Sequence, residues 1–235
     1  MTVRLMLTCL CDAFYGDVGV ATVKVLEHAG CTVEFPAEQT CCGQPPFNAG
    51  DWTAARTIAG RTRQIFAGDI PVVTPSGSCA AMVRHGYGEL FSTPSFPCFE
   101  LCEYLVRVME IDRWPLRATR VHKRRKVAFH NACHGRVLGL GSLQIDLVKT
   151  IPWVEIMPID EGEQCCGFGG AFAATHGAIS EGIGLRKLEC LMASGATEIV
   201  SGDMGCLTHL NGLIERNDLP IRTKHVAQLL AEAIG

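Results

Sequence analysis

EQTCCGQPPFNAG, residues 38–50, sets two cysteines side by side, Cys41 and Cys42, and follows them with Gly43. EQCCGFGGAFA, residues 163–173, does the same with Cys165, Cys166 and Gly167. Each doublet is one corner of a longer pattern. Cys9 stands 32 residues before the first doublet, and Cys133 stands 32 before the second. Cys79 follows Cys42 by 37 residues, and Cys206 follows Cys166 by 40. Both halves therefore read Cys…Cys-Cys-Gly…Cys, offset by 124 residues through the doublets. Eight of the 13 cysteines fall into this scheme, which marks an internal duplication rather than a chance match.

The segments between the cysteines alternate in kind. Residues 3–7, VRLML, read as a buried strand. Residues 18–30 carry an apolar stripe at helical spacing and stop at Gly30, and residues 31–35 read as a second strand. Residues 51–68 read as a helix with Asp51 as its N-cap and Gly68 beyond its end. Residues 71–75 form a third strand, and FELCEYLVRVMEI, residues 99–111, reads as a helix that closes the half. The second half follows suit, with strands at 126–130, 154–158 and 198–202 and helices at 142–151 and 177–195. Such alternation predicts an α/β fold: two tandem small parallel-sheet, Rossmann-like domains related by pseudo-two-fold symmetry. The first is expected over residues 1–112 and the second over 126–235. Residues 113–125, around Pro115, form a basic linker whose charges face solvent. Each patterned cysteine follows a strand, and in a parallel sheet the loops at the carboxyl ends of the strands converge on one edge. Two four-thiolate sites are therefore expected, one per domain, at or near the domain interface.

Composition narrows the class. At 48% hydrophobic and 19% charged, the 235 residues can bury a real core. A formal net charge of −3 argues against a nucleic-acid-binding surface. No apolar run is long enough for a transmembrane helix, and the N-terminus lacks the features of a secretion signal. An odd cysteine count in a chain of this size argues against a closed disulfide framework and for thiols in a reducing, cytoplasmic setting. Cys11, Cys31, Cys98, Cys102 and Cys190 read as small packed hydrophobes.

Three chemistries suit four converging thiolates. The first is iron–sulfur, with one [4Fe–4S] cluster per domain, held by Cys9, Cys41, Cys42 and Cys79 and by Cys133, Cys165, Cys166 and Cys206. Adjacent cysteines serve one metal ion poorly because their side chains diverge, whereas separate irons accept both. The neighbouring glycines let backbone approach and donate N–H groups to sulfur. The second is structural zinc, but the usual C-x-x-C pairs do not occur. His130 and His134, flanking Cys133, are its candidate extra ligands. The third is thiol redox chemistry at the doublets.

In these motifs the sequence resembles a known family. The tandem Cys…Cys-Cys-Gly…Cys-x-x-Cys cysteine-rich (CCG) domain marks the heterodisulfide reductase B subunit and the iron–sulfur subunits of glycolate and glycerol-3-phosphate oxidation. The short two-domain form, with TCCGQPPFNAG, SGSC and QCCGFGG, is most similar to the lactate-utilisation protein A type. The resemblance covers nearly the whole chain. It implies a cytoplasmic iron–sulfur oxidoreductase subunit, active only within a multi-subunit complex that oxidises L-lactate to pyruvate. Its partners would be a larger ferredoxin-like iron–sulfur subunit and a small third subunit.

One departure matters. The family's last motif is Cys-x-x-Cys, and here Ser76 and Asp203 stand at its first position. Four cysteines per domain support ordinary four-thiolate clusters and argue against heterodisulfide-reductase-like chemistry. Ser76 and Asp203 read as N-caps of the helices that follow, with oxygen ligation as the alternative. Cys11 ranks below Cys9 as a ligand, because alternate strand residues face opposite ways. His130, His134 and Arg136, close to Cys133, are candidates to hold a carboxylate or a cluster's charge. No G-x-G-x-x-G follows a strand, so no hydride-carrying dinucleotide site is expected, and no nucleophile–base pair points to hydrolysis. The rival class is a scaffold subunit of a redox complex, stabilised by zinc or disulfides.

Overall fold

A computed structural model describes residues 1–93, 95–116 and 123–235. The first half runs β1 (Thr2–Leu5), α1 (Cys9–Phe14), α2 (Gly16–His28), β2 (Thr32–Glu34), α3 (Gln44–Asn48), α4 (Trp52–Ile65), β3 (Val72–Thr74) and α5 (Gly77–Ala81). A π turn over Met82–Gly86 carries α5 into α6 (Tyr87–Leu90). β4 (Cys98–Glu100) then leads into α7 (Leu101–Glu103) and a second π turn, Tyr104–Val108. The second half runs β5 (Arg125–Phe129), α8 (Cys133–Val137), α9 (Leu143–Lys149), β6 (Val154–Ile156), α10 (Ala171–Thr175), α11 (Gly177–Ala193), β7 (Glu198–Ser201), α12 (Met204–Arg216), β8 (Arg222–His225) and α13 (Val226–Glu232).

Each half builds one four-stranded parallel sheet, in the orders β2-β1-β3-β4 and β6-β5-β7-β8. This is the expected α/β fold. Of the central strands, β3 and β7 are buried throughout, as parallel strands covered on both faces must be. Asp51 caps α4, accepting from the N–H of Ala54 at 3.0 Å, and Gly68 follows the helix in a left-handed conformation.

Two strands escaped the sequence reading. FELCEYLVRVMEI is not helical from its start: Cys98–Glu100 pairs with β3, and the helix begins only at Leu101, capped by Glu100. A run of three residues looks alike in strand and helix until a neighbouring strand supplies the hydrogen bonds. RTKH in β8 has no apolar alternation at all, yet it pairs with β7 from Glu198↔Arg222 to Ser201↔His225. Lys224 pairs with Glu198 and Glu232 and Thr223 bonds Asn211, and of the four side chains His225 alone is buried.

The pseudo-two-fold relation shows in the packing. α2 packs on α13 and α9 on α7, and α1 meets α12 as α8 meets α5. One core therefore draws on both halves, with Val3, Val73 and Leu105 against Val127, Leu147 and Leu230. Of the predicted linker, residues 117–122 lie outside the described residues. Trp114 is not solvated: it is buried, and its Nε1–H donates to the Leu230 carbonyl at 3.0 Å. At the other end Arg125 is already strand, paired with Glu198 and Glu232. No helix among the described residues is long and apolar enough to cross a membrane.

Candidate metal centre

The cysteines occupy matching places in the two halves. Cys9 and Cys133 are the first residues of α1 and α8. Cys79 and Cys206 sit in the first turns of α5 and α12, behind the N-caps Ser76 and Asp203. Each doublet ends in a glycine turn, with φ 88° at Gly43 and φ 90° at Gly167. Only glycine adopts this conformation without strain. A methyl group there would also meet helix backbone, the Ala55 carbonyl 3.2 Å from Gly43 and the Ser180 carbonyl 2.5 Å from Gly167. The turn aims the glycine N–H back at the first sulfur of the doublet, at 3.4 Å for Cys41 and 3.3 Å for Cys165. The third letter of Cys-Cys-Gly thus has a double reason: it lets the loop press on a helix, and it supplies a donor to sulfur.

All eight cysteines line a single cavity of about 300 Å3 between the halves, joined by Gln44, Ser76, His134, Phe168 and Asp203. The two predicted sites therefore open into one shared space. A wider groove of about 630 Å3, beside Gln64, Asp69 and Phe96, gathers none of these cysteines. In each half one doublet cysteine and its downstream partner are buried (Cys42 with Cys79, Cys166 with Cys206), while the other two sulfurs lie toward solvent. The sulfurs are close: Cys9 to Cys41 is 3.6 Å and Cys42 to Cys79 is 3.4 Å.

Crowding decides the charge. Hydrogen bonds from the Cys42 and Cys9 thiols pull Cys41 down to about 3, while Cys41 in turn pushes Cys9 and Cys42 up. Cys133 and Cys166 do the same for Cys165, which falls far below the usual thiol range as they rise. In each set the first sulfur of the doublet is thus the one favoured to carry negative charge. Further thiolates need a cation to compensate them, and metal binding would release those protons. Four soft donors in this state suit iron–sulfur, zinc or another soft metal group.

The flanking residues divide. His134 lines the cavity, with Nε2 3.2 Å from the amide nitrogen of Gln44 across the domain boundary. Arg136 is exposed and donates to the Glu163 carbonyl, away from the cavity. His130 is buried, and one of its ring nitrogens, the Cys166 sulfur and the Cys206 sulfur all lie within 4.8 Å of one another. Burial drops the His130 imidazole to about 4, so it is neutral.

Ser76 and Asp203 act as caps. Ser76 accepts from the Cys79 N–H at 3.3 Å, and Asp203 accepts from the Gly205 N–H at 3.0 Å. Asp203 also reaches into the other half, accepting from the Ser78 N–H at 2.7 Å. Cys11 belongs to α1 and not to a strand, but two helical positions are also about 200° apart. It faces away from the cavity into the core with Leu5, Val18 and Leu207. Gln44 and Phe168, one residue after each doublet glycine, were not singled out from the sequence. Their equivalence in the repeat was the available signal.

Comparison with known proteins gives three findings. A cysteine-rich domain family, CCG, matches residues 3–84 and again 127–211. Lactate utilization protein A of Shouchella clausii is 40% identical over 98% of both chains, and that of Anoxybacillus flavithermus is 36% identical over 98% of this chain and 99% of its own. A hypothetical protein from Helicobacter pylori has a similar structure, with TM-score 0.59 at 11% identity, covering 100% of this chain. This chain spans 49% of that one, and the likeness bears on fold alone.

Proposed function

The chain belongs to the CCG cysteine-rich domain family, in its lactate utilization protein A group, and on that premise we propose that it is an iron–sulfur electron-transfer subunit of a complex oxidising L-lactate to pyruvate. A role in lactate utilisation is supported by the full-length similarity. One observation carries the electron-transfer reading: eight thiols from two sequence-distant repeats converge on a single cavity. On this reading Cys9, Cys41, Cys42 and Cys79 hold one [4Fe–4S] cluster, and Cys133, Cys165, Cys166 and Cys206 hold another. Such a group supplies one-electron acceptance and release.

The rest is the chain's own work. Gly43 and Gly167 donate N–H bonds to sulfur, which tunes any metal bound there. Thr62 and Tyr87 hold the carbonyls of Cys41 and Cys42 at 2.8 and 2.9 Å, fixing the first doublet. Ser180 holds the Gly167 carbonyl at 2.8 Å in the second half. Lactate oxidation itself needs partners, in this reading a ferredoxin-like iron–sulfur subunit and a small third subunit.

Iron and acid-labile sulfide are to be counted on protein prepared without oxygen. The expected result is about eight of each per chain, two four-iron clusters. About four would mean that one half keeps its cysteines without a cluster. Folded protein with zinc, or with no metal, would instead make the chain a scaffold and overturn the electron-transfer reading.

A further inference from the structure

His130 is 1% exposed, and neither ring nitrogen has a hydrogen-bond partner. Burying an imidazole without partners costs free energy that nothing around it offsets. Its backbone is pinned at the carboxyl end of β5: its N–H donates to the Val200 carbonyl at 2.7 Å, and its carbonyl accepts from Ser201 Oγ at 2.9 Å. The ring is thus presented to Cys166 and Cys206, with all three candidate ligand atoms within 4.8 Å of one another. In the first half the matching position, 124 residues earlier, is Met6, which packs in an apolar cluster with Cys42 and Cys79. The same scaffold position therefore holds a packing residue in one half and an unsatisfied nitrogen in the other.

We propose that His130 is a metal ligand, completing with Cys166 and Cys206 a mixed nitrogen–sulfur donor set, absent from the first half, for whatever soft metal group the second-half thiols hold. This rests on the second-half cysteines being metal ligands, but not on the metal being iron. A metal at about 2.0–2.1 Å from nitrogen and about 2.3 Å from sulfur holds the two about 3.6 Å apart at a tetrahedral angle. The observed grouping closes to that spacing by a shift of roughly 1 Å. Three protein ligands leave a fourth position, within reach of the remaining second-half thiols or solvent. Binding satisfies one orphaned nitrogen directly.

Cadmium-113 serves as the probe, on reduced full-length chain labelled with 15N-histidine and read by NMR. In the wild-type chain one histidine should couple to cadmium through nitrogen. His134→Ala should keep that coupling. His130→Met, which copies the first half, should lose it and weaken one cadmium site about 10-fold or more while the other is unchanged. Cadmium seen by sulfur alone in the wild type would overturn the proposal. So would a coupling that survives His130→Met, or no cadmium uptake at all. The decisive coupling is read on the wild type, so a His130→Met chain that fails to fold does not spare the proposal. A chain that couples cadmium through His130 but takes up no iron and sulfide keeps this site and loses the iron–sulfur reading.

Discussion

The two halves share a frame and differ in what surrounds it. Both place cysteines at the same four points, both turn on a left-handed glycine, and both lay that glycine on a helix. Around the first set stand Met6, Ala55 and Thr62, and around the second His130, Ser180 and Lys187. Lys187 is buried, held by the Gly162 carbonyl at 3.0 Å. Gln44 after the first glycine is answered by Phe168 after the second. Duplication thus kept what the sulfur geometry demands and let polarity diverge: Met6 and Gln44 in the first half stand where the second has His130 and Phe168, and only the second set has a buried lysine, Lys187, behind it. Nitrogen donors and nearby charge are levers that tune a bound metal, so the two sites should not be equivalent.

The largest test of the shared frame is loss of metal. If the ligand reading holds, Cys42→Ser and Cys166→Ser each remove one half's metal, while Cys98→Ser, in the core beside β3, removes none; metal analysis of the three variants decides it. Equal retention in all three would break the assignment for both halves.

Next comes the glycine turn. Gly167→Ala should cost about 3 kcal/mol or more, because its methyl meets the Ser180 carbonyl at 2.5 Å in addition to the strain of positive φ. Gly43→Ala, 3.2 Å from the Ala55 carbonyl, should cost about 1–2 kcal/mol. Urea unfolding midpoints rank the two, and equal losses would mean that the second loop yields where the first does not.

The ends of the fourth strands sharpen the comparison through pH. Glu100 caps α7, accepting from the Glu103 N–H at 3.0 Å, and His225 caps α13, accepting from the Ala227 N–H at 3.1 Å. Burial raises Glu100 from 4.5 to about 8 and lowers His225 from 6.5 to about 4. The folded state thus holds the Glu100 proton that the unfolded chain gives up. Its contribution is full below pH 4.5 and is lost as pH rises toward 8. His225 works in reverse: the unfolded chain takes up a proton that the fold refuses, so stability is lost as pH falls from 6.5 toward 4. Glu100→Gln should flatten the alkaline limb of the stability profile and His225→Gln the acid limb, on the order of 3–5 kcal/mol at full effect. A profile unmoved by either substitution would show that neither group is held out of water as described.

The smallest difference lies at the helix caps. Asp203→Ala loses both its own cap and the bond to Ser78 in the other half, at about 2 kcal/mol. Ser76→Ala loses a cap and only the long 3.4 Å bond that Ser76 donates to Asp203, at about 1 kcal/mol. Thermal unfolding should separate them, and equal shifts would mean that the shorter bond from Ser78 to Asp203 adds nothing.

Much of this was legible in the chain alone. The doublets, their spacing and the alternation of apolar segments determined a duplicated parallel α/β fold and named the eight thiols, because strand and helix periods and loop positions are local properties. Asp51 and the two glycine turns were readable for the same reason. The short strands β4 and β8 were not, since three or four residues become a strand only when a neighbour offers its hydrogen bonds. Packing alone decided that both cysteine sets open into one cavity, that Trp114 leaves the linker for the core, and that Asp203 bonds across the halves. It also left His130 without a partner, and it gave Glu100 and His225 opposite titration. Burial and the presence or absence of a partner are set by which surfaces meet, and no single stretch of sequence carries that information.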